Sequence, residues 1–402
     1  MGYGEKSKTK RLPGLSGSGA FKEKRMKIEV GTPALYGEIQ RFLEDVYGHS
    51  SGAFSEGWPQ VWRKEHTALE NSLLVREGGR IVSFLRIFPL SIVQKGARIR
   101  AAGIGSVSTL YSHRGRGYMS SLLMESFARM KRDGFPVSIL WGDRHRYGHF
   151  GYENCGSSVH LAINSRGLKA SGVPPLEARR YFGEKDILGE IRKAYNSNSY
   201  RMERIASDFL TVYSRRGSAT YYGFRRNSFA YLTVFSTESG EKGSVNEFGG
   251  DPEILLGLLG HLSERFGITG FRLSFPGLGE VPRILLEASS GWTVGKTCML
   301  KIIDLRETLR IISGRSDFFF PGGAVLTLTV KNGQSVTLSR KGRAVSVKEG
   351  KGGVEVVLEE NEMTRLLFGQ TFWAPEEIDQ ETYLLLKRFL PVGFFVGHMD
   401  TV

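Results

Sequence analysis

Arg114-Gly115-Arg116-Gly117 is the stretch of this sequence best suited to chemistry. Guanidinium groups offer paired donors to phosphate oxygens. Glycines let a backbone come close to a ligand, because no Cβ intervenes. Further on stands Tyr147-Gly148-His149-Phe150-Gly151-Tyr152. A phenol with its ordinary pKa near ~10 stays protonated at neutral pH and can give a proton to a departing anion. Tyr147 is the candidate for that role, since it precedes the Phe-Gly-Tyr segment, where Tyr152 reads as a packing residue. His145, His149 and His398 are spare acid–base candidates, read as surface or hydrogen-bonding residues.

The elements around the arginines decide how the turn is read. Residues 103–110 are small and β-branched, which predicts a strand. Met119, Leu122, Leu123, Phe127 and Met130 recur at helical spacing and predict a helix over 118–132, ended by Gly134. A second short strand is expected at 137–141. A helix start exposes unpaired N–H groups and partial positive charge, which suits phosphate. A basic glycine turn alone can be a solvated loop; between a strand and a helix it reads as a phosphate site.

Ser112-His113-Arg114-Gly115-Arg116-Gly117-Tyr118-Met119-Ser120-Ser121 resembles the pyrophosphate loop of GNAT N-acetyltransferases, Arg-x-x-Gly-x-Gly/Ala, with Met119 where a small residue is usual. Tyr147 to Tyr152 resembles that family's Tyr-x-x-Phe-Gly-Phe/Tyr element. The bulky Met119 and the whole-chain layout are similar to one branch, the enhanced intracellular survival (Eis-like) acetyltransferases. The resemblance implies acetyl-CoA as co-substrate and no metal. It implies that Val107, Ser108, Thr109, Arg114, Gly115, Arg116, Gly117, Tyr118, Met119, Ser120 and Gly142 hold acetyl-CoA. Tyr147 would be the general acid, and the carboxylate of Val402, at the end of an unusually apolar tail, the base. The alternative for that tail is a final strand that only closes its domain. The acceptor implied is a primary amine, aminoglycoside-like or a lysine. Glu56 and Trp58, with Trp62 nearby, are expected to bind it. A homo-oligomer, commonly a hexamer, is implied in the same way.

Composition narrows the rest. The 402 residues are 40% hydrophobic and 11% aromatic, enough for two or three cores. Nothing resembles a membrane span or a signal peptide. Cys155 and Cys298 are the only cysteines, too few for a disulfide framework or a zinc cluster. A cytoplasmic protein is expected. The net charge of +14 suits nucleic acid, an anionic surface or an anionic co-substrate. No nucleic-acid module accompanies it. A strongly basic protein is also a poor attractor of polycations, which argues against aminoglycosides. A lipid-binding or nucleic-acid-binding protein without catalysis is the alternative reading.

The expected architecture is α/β (α+β), with two tandem GNAT folds followed by a third unit. Residues 1–25 are a basic, poorly ordered leader. Residues 26–167 form the acetyl-CoA-binding domain, including a hairpin turned at Glu77-Gly78-Gly79 and a loop with aromatics at 50–59. Residues 168–296 repeat the strand, turn, helix and strand order around Asn246 to Phe275 without the arginines, as a degenerate GNAT-like domain. Residues 297–402 resemble a sterol carrier protein-like domain, with short alternating strands, then helices at 360–368 and 375–390.

Overall fold

The structure is a computed structural model that describes residues 26–236 and 242–401. The expected leader therefore lies outside the described residues, as does Val402. The described residues form three sheets. The first contains β1 (Ile28–Val30), β2 (Ser72–Glu77), β3 (Arg80–Gln94), β4 (Ala97–Thr109), β5 (Val137–Leu140) and β6 (Glu153–Cys155). Gly78 and Gly79 both take positive φ, +55° and +79°, and close the expected β2–β3 hairpin. β3 runs on through Pro89. Pairing with β2 has stopped at Arg86 and pairing with Tyr200–Met202 begins only at Ile92, so the missing N–H of Pro89 breaks no ladder.

Two sequence boundaries need correction. Ser158–Asn164, expected in the first unit, lies in the second sheet, paired with Gly270–Phe275 and Gly291–Gly295. Cys298–Ile302, expected to open the third unit, is inserted into the first sheet between β5 and β6. Its side chains alternate between two cores. Cys298 and Leu300 face the third unit, and Met299 faces the opposite side of the sheet. Four of its five residues are apolar, and such a run does not say which sheet will take it.

Helices α1 (Tyr36–Tyr47), α2 (Ala53–Gly57), α3 (Pro59–Trp62), α4 (Tyr118–Arg132) and α5 (Arg144–Tyr147) belong to the first unit. The aromatic stretch expected as a loop is thus two short helices. Phe54 and Trp62 bury their rings there and hold it in place. α4 packs Tyr118, Leu122, Leu123 and Met130 on the sheet, and Gly134 beyond its end has a φ of +71°. In the second sheet Lys242–Gly250 and Gly270–Phe275 pair in parallel, joined by helix Pro252–Phe266. This repeats the β4–α4–β5 order. The third sheet orders Ala344–Glu349, Ser335–Lys341, Val325–Val330 and Val354–Leu358, with helix Glu360–Phe368 beside it. The following helix is shorter than expected, Gln380–Lys387, because Asp379 caps its start through Thr382. Among the described residues no helix is long and apolar enough to cross a membrane.

Glu153 fastens the first sheet to the third unit. It is 3% exposed, accepts two hydrogen bonds from Arg144, and a third from Arg365 at 2.8 Å. Burial alone would raise its carboxyl, but these bonds and the Asn154 N–H outweigh it and bring it down to about 2. The folded value lies below the unfolded one. The stabilisation is therefore whole above the ordinary 4.5 and is lost as pH falls through about 2. Glu153→Gln is expected to destabilise the protein at neutral pH by about 2 kcal/mol after allowance for solvent screening. Melting temperatures across an acid series should show the gap closing between those two values. A gap that stays constant with pH would remove the ionised carboxylate as its cause.

After helix Gln380–Lys387 the chain returns to the other two units. Phe394, Val396 and Met399 are buried. Gln94 exchanges hydrogen bonds with both backbone groups of Phe395, and Gln60 Nε2 reaches Met399 O at 3.4 Å. Asp400 is bound by Arg204. The apolar tail thus packs Phe394 and Val396 into the core that includes the third unit, and its polar contacts reach the first and second units.

Candidate active site

β4 and β5 pair in parallel only over Ala101–Gly103 and Val137–Ile139. Beyond that the strands part, and a cleft of about 940 Å³ opens between residues 104–109 and 140–142. The parting coincides with an irregularity in β4. Its register on β3 shifts between Phe84 and Arg86, and Ser106 takes a φ of +53°. A non-glycine residue there is strained by about 1 kcal/mol or more, and such bulges re-aim a strand beside functional sites. Ser83 holds the distorted segment, with Oγ donating to Ser108 O at 3.0 Å.

One end of the cleft is the basic turn. Gly115 and Gly117 have φ of +77° and +78°, the left-handed region that glycine enters without strain. Gly117 is the residue before α4, so the first N–H groups of that helix face the cleft through Tyr118, Met119 and Ser120. Arg114 stacks on Tyr111 at 5.2 Å and has no carboxylate partner among the described residues. Arg116 does not line the cleft. It binds Glu77 at 3.3 Å and Ser112 O at 3.2 Å.

The other end holds Tyr147, which is 7% exposed and packs edge-on against Tyr152. The Tyr152 hydroxyl is itself buried on Ser138 at 2.7 Å. α5 places Tyr147 because Asp143 caps the helix, accepting from Arg146 N at 3.1 Å. Burial raises the Tyr147 phenol above its ordinary value of 10.0, and the neighbouring Arg146 guanidinium partly offsets this. Tyr47 at the end of α1 is pushed up to about 12, first by burial and then by Tyr147. The two phenols differ in what they can donate. Tyr47 already gives its proton to Val107 O at 3.2 Å. Tyr147 has no acceptor for its own among the described residues.

Gly142 is required by close approach. A Cβ there would lie 2.5 Å from Tyr147 Cε2 and 2.9 Å from Leu140 Cδ1. Gly142→Ala is therefore expected to push the tyrosine ring aside and lower turnover by roughly a hundredfold. A melting temperature measured alongside separates this from unfolding. Unchanged turnover would mean that the position of this ring does not matter.

The cleft brings together most of the residues singled out by sequence. Val107, Ser108, Thr109, Arg114, Gly115, Gly117, Tyr118, Met119, Ser120, Gly142, Tyr147 and Trp58 all line it. Glu56 does not, and its carboxylate is held by Arg216 of the second unit at 2.6 Å. Val402 lies outside the described residues. Sequence reasoning missed Tyr47, His49, Phe54, Asp143 and Arg146, which also line the cleft. The exposed aromatic at the end of α1 was the one available signal for this group.

Residues 29–155 match the family described as acetyltransferase (GNAT) domain. An uncharacterised N-acetyltransferase of Streptomyces coelicolor is 29% identical over 107 residues, which is 26% of this chain and 26% of that protein. The fold extends further. A GCN5-related N-acetyltransferase from Kribbella flavida covers 94% of this chain and all of its own, at 16% identity and a TM-score of 0.72. Eis1 from Mycobacterium abscessus covers the same shares at 14% identity and a TM-score of 0.69. The chain thus matches the acetyltransferase (GNAT) domain over residues 29–155 and shares the fold of GCN5-related N-acetyltransferases over nearly its whole length.

Proposed function

We propose that this protein is an acetyl-CoA-dependent N-acetyltransferase whose acceptor is a primary amine, on a small molecule or a lysine. The observation that carries this is the single cleft with a phosphate-suited turn at one end and a protonated tyrosine at the other. In this reading Arg114 and the N–H groups after Gly117 hold the pyrophosphate, and Val107 to Thr109 run beside the pantetheine amides. A backbone N–H of that strand polarises the acetyl carbonyl. The amine attacks that carbon, the carbon–sulfur bond breaks, and Tyr147 donates its proton to the departing sulfur.

The amine must also lose a proton. We assign this to the terminal carboxylate of Val402, through water. The tail's anchoring at Gln60, two residues from Trp58, supports the assignment. The sterol carrier protein-like reading of the third unit, work in the cytoplasm and a homo-oligomer such as a hexamer belong to the same proposal. The test is thiol release from acetyl-CoA with a panel of amines, using the natural end and an end extended past Val402. Loss of turnover in the extended protein, with acetyl-CoA binding intact, supports the carboxylate base. Equal turnover in both removes Val402 from the mechanism, and no binding of acetyl-CoA overturns the transferase reading.

A further inference from the structure

The cleft is richer in rings and cations than an amine acceptor alone explains. Beyond Tyr147 its wall is a cluster of aromatics, with Phe54 at 5.7 Å from Tyr47, 6.1 Å from Trp58 and 5.6 Å from Trp62 between centroids. The second unit reaches over this cluster through the turn after helix Ala206–Val212. Arg215 lies over the Trp58 ring at 5.0 Å and over Phe235 at 5.1 Å. No carboxylate pairs with it among the described residues. The adjacent Arg216 pairs with Glu56, which does not line the cleft. Arg146, also without a carboxylate partner among the described residues, lines the cleft beside Tyr147. Asp143 is the carboxylate in the lining, and it is engaged in capping α5.

A guanidinium stacked on an indole keeps its in-plane N–H donors free at the ring edge, where they suit a carboxylate or phosphate. The same charge repels a second ammonium group. We propose that the acceptor is an amine on a flat apolar body that carries an anionic group at its far end, with Arg215 meeting the anion and polycationic amines disfavoured. This rests on the acetyltransferase reading and specifies its acceptor.

Three para-substituted benzylamines isolate the charge: 4-(aminomethyl)benzoate, benzylamine, and 1,4-bis(aminomethyl)benzene with its second ammonium. Thiol release with the full chain gives kcat/KM for each, and calorimetry reports acetyl-CoA binding separately. The expected order is benzoate, then benzylamine, then the diamine, with the first step about tenfold, as for one charge-assisted hydrogen bond. Arg215→Gln should collapse the benzoate-to-benzylamine ratio towards one, and Arg215→Glu should invert it. The order on the unaltered protein needs no variant to fold. A diamine turned over fastest, or a ratio indifferent to both substitutions, overturns the proposal. So does acetyl-CoA binding without turnover of any of the three, which leaves acetyl transfer standing. Absence of acetyl-CoA binding would instead remove the reading beneath it.

Discussion

Tyr147→Phe is expected to lower kcat by about 10²- to 10⁴-fold, the usual contribution of a positioned general acid. Acetyl-CoA affinity should stay close to that of the parent. The substitution removes one hydroxyl from a ring held by Tyr152 and by the glycine at 142, so the packing survives. Burial keeps this phenol above its ordinary value of 10.0. The acid form therefore persists through neutral pH, and activity should fall only as pH rises past that value. The phenylalanine variant should lack this alkaline limb. Turnover within about threefold of the parent would mean that the hydroxyl makes no bond special to the transition state. Tyr47 would not replace it easily, since its proton already serves Val107 O.

The parts of the site that sequence made legible are those encoded locally. Left-handed glycines at 115 and 117 and the apolar spacing of α4 need only a few neighbouring residues to be read. The opening itself is not local. It depends on β4 losing β5 after Gly103, and on a bulge at Ser106, a residue type that gives no warning of positive φ. Cys298–Ile302 reads as a strand from its apolar run, yet its place between β5 and β6 is set by two cores that meet across it. Glu56 stands in the right stretch for an acceptor contact, but Arg216 arrives from far along the chain and claims it. Charge pairing at long range was the information missing from the sequence.

The second large effect is expected far from Tyr147, where the tail is fastened. Arg204 has a side chain only 3% exposed, and it faces two carboxylates, Glu247 and Asp400. Its Nε meets Asp400 Oδ1 at 2.8 Å, and it lies over the Tyr195 ring at 4.2 Å. Three phenols complete the cluster. Tyr195 donates to Asp400 at 3.0 Å, and Tyr213 and Tyr231 donate to Glu247 at 2.6 and 3.0 Å. Arg204→Met keeps the volume but leaves two buried carboxylates without a counter-charge, which should destabilise the fold by about 3–5 kcal/mol. Asp400→Asn should be much milder. It leaves one cation facing one anion, and burial already pushes the Asp400 carboxyl up against the pull of Arg204. Denaturant unfolding gives both values, and limited proteolysis reads the tail directly. In the Arg204 variant residues after Val396 should be cut while the sheets stay intact, because the hydrogen bonds of Gln60 and Gln94 to the tail are neutral. Equal stability of the Arg204 variant and the parent would mean the carboxylates are protonated or wet, and the tail would then owe its place to Phe394, Val396 and Met399.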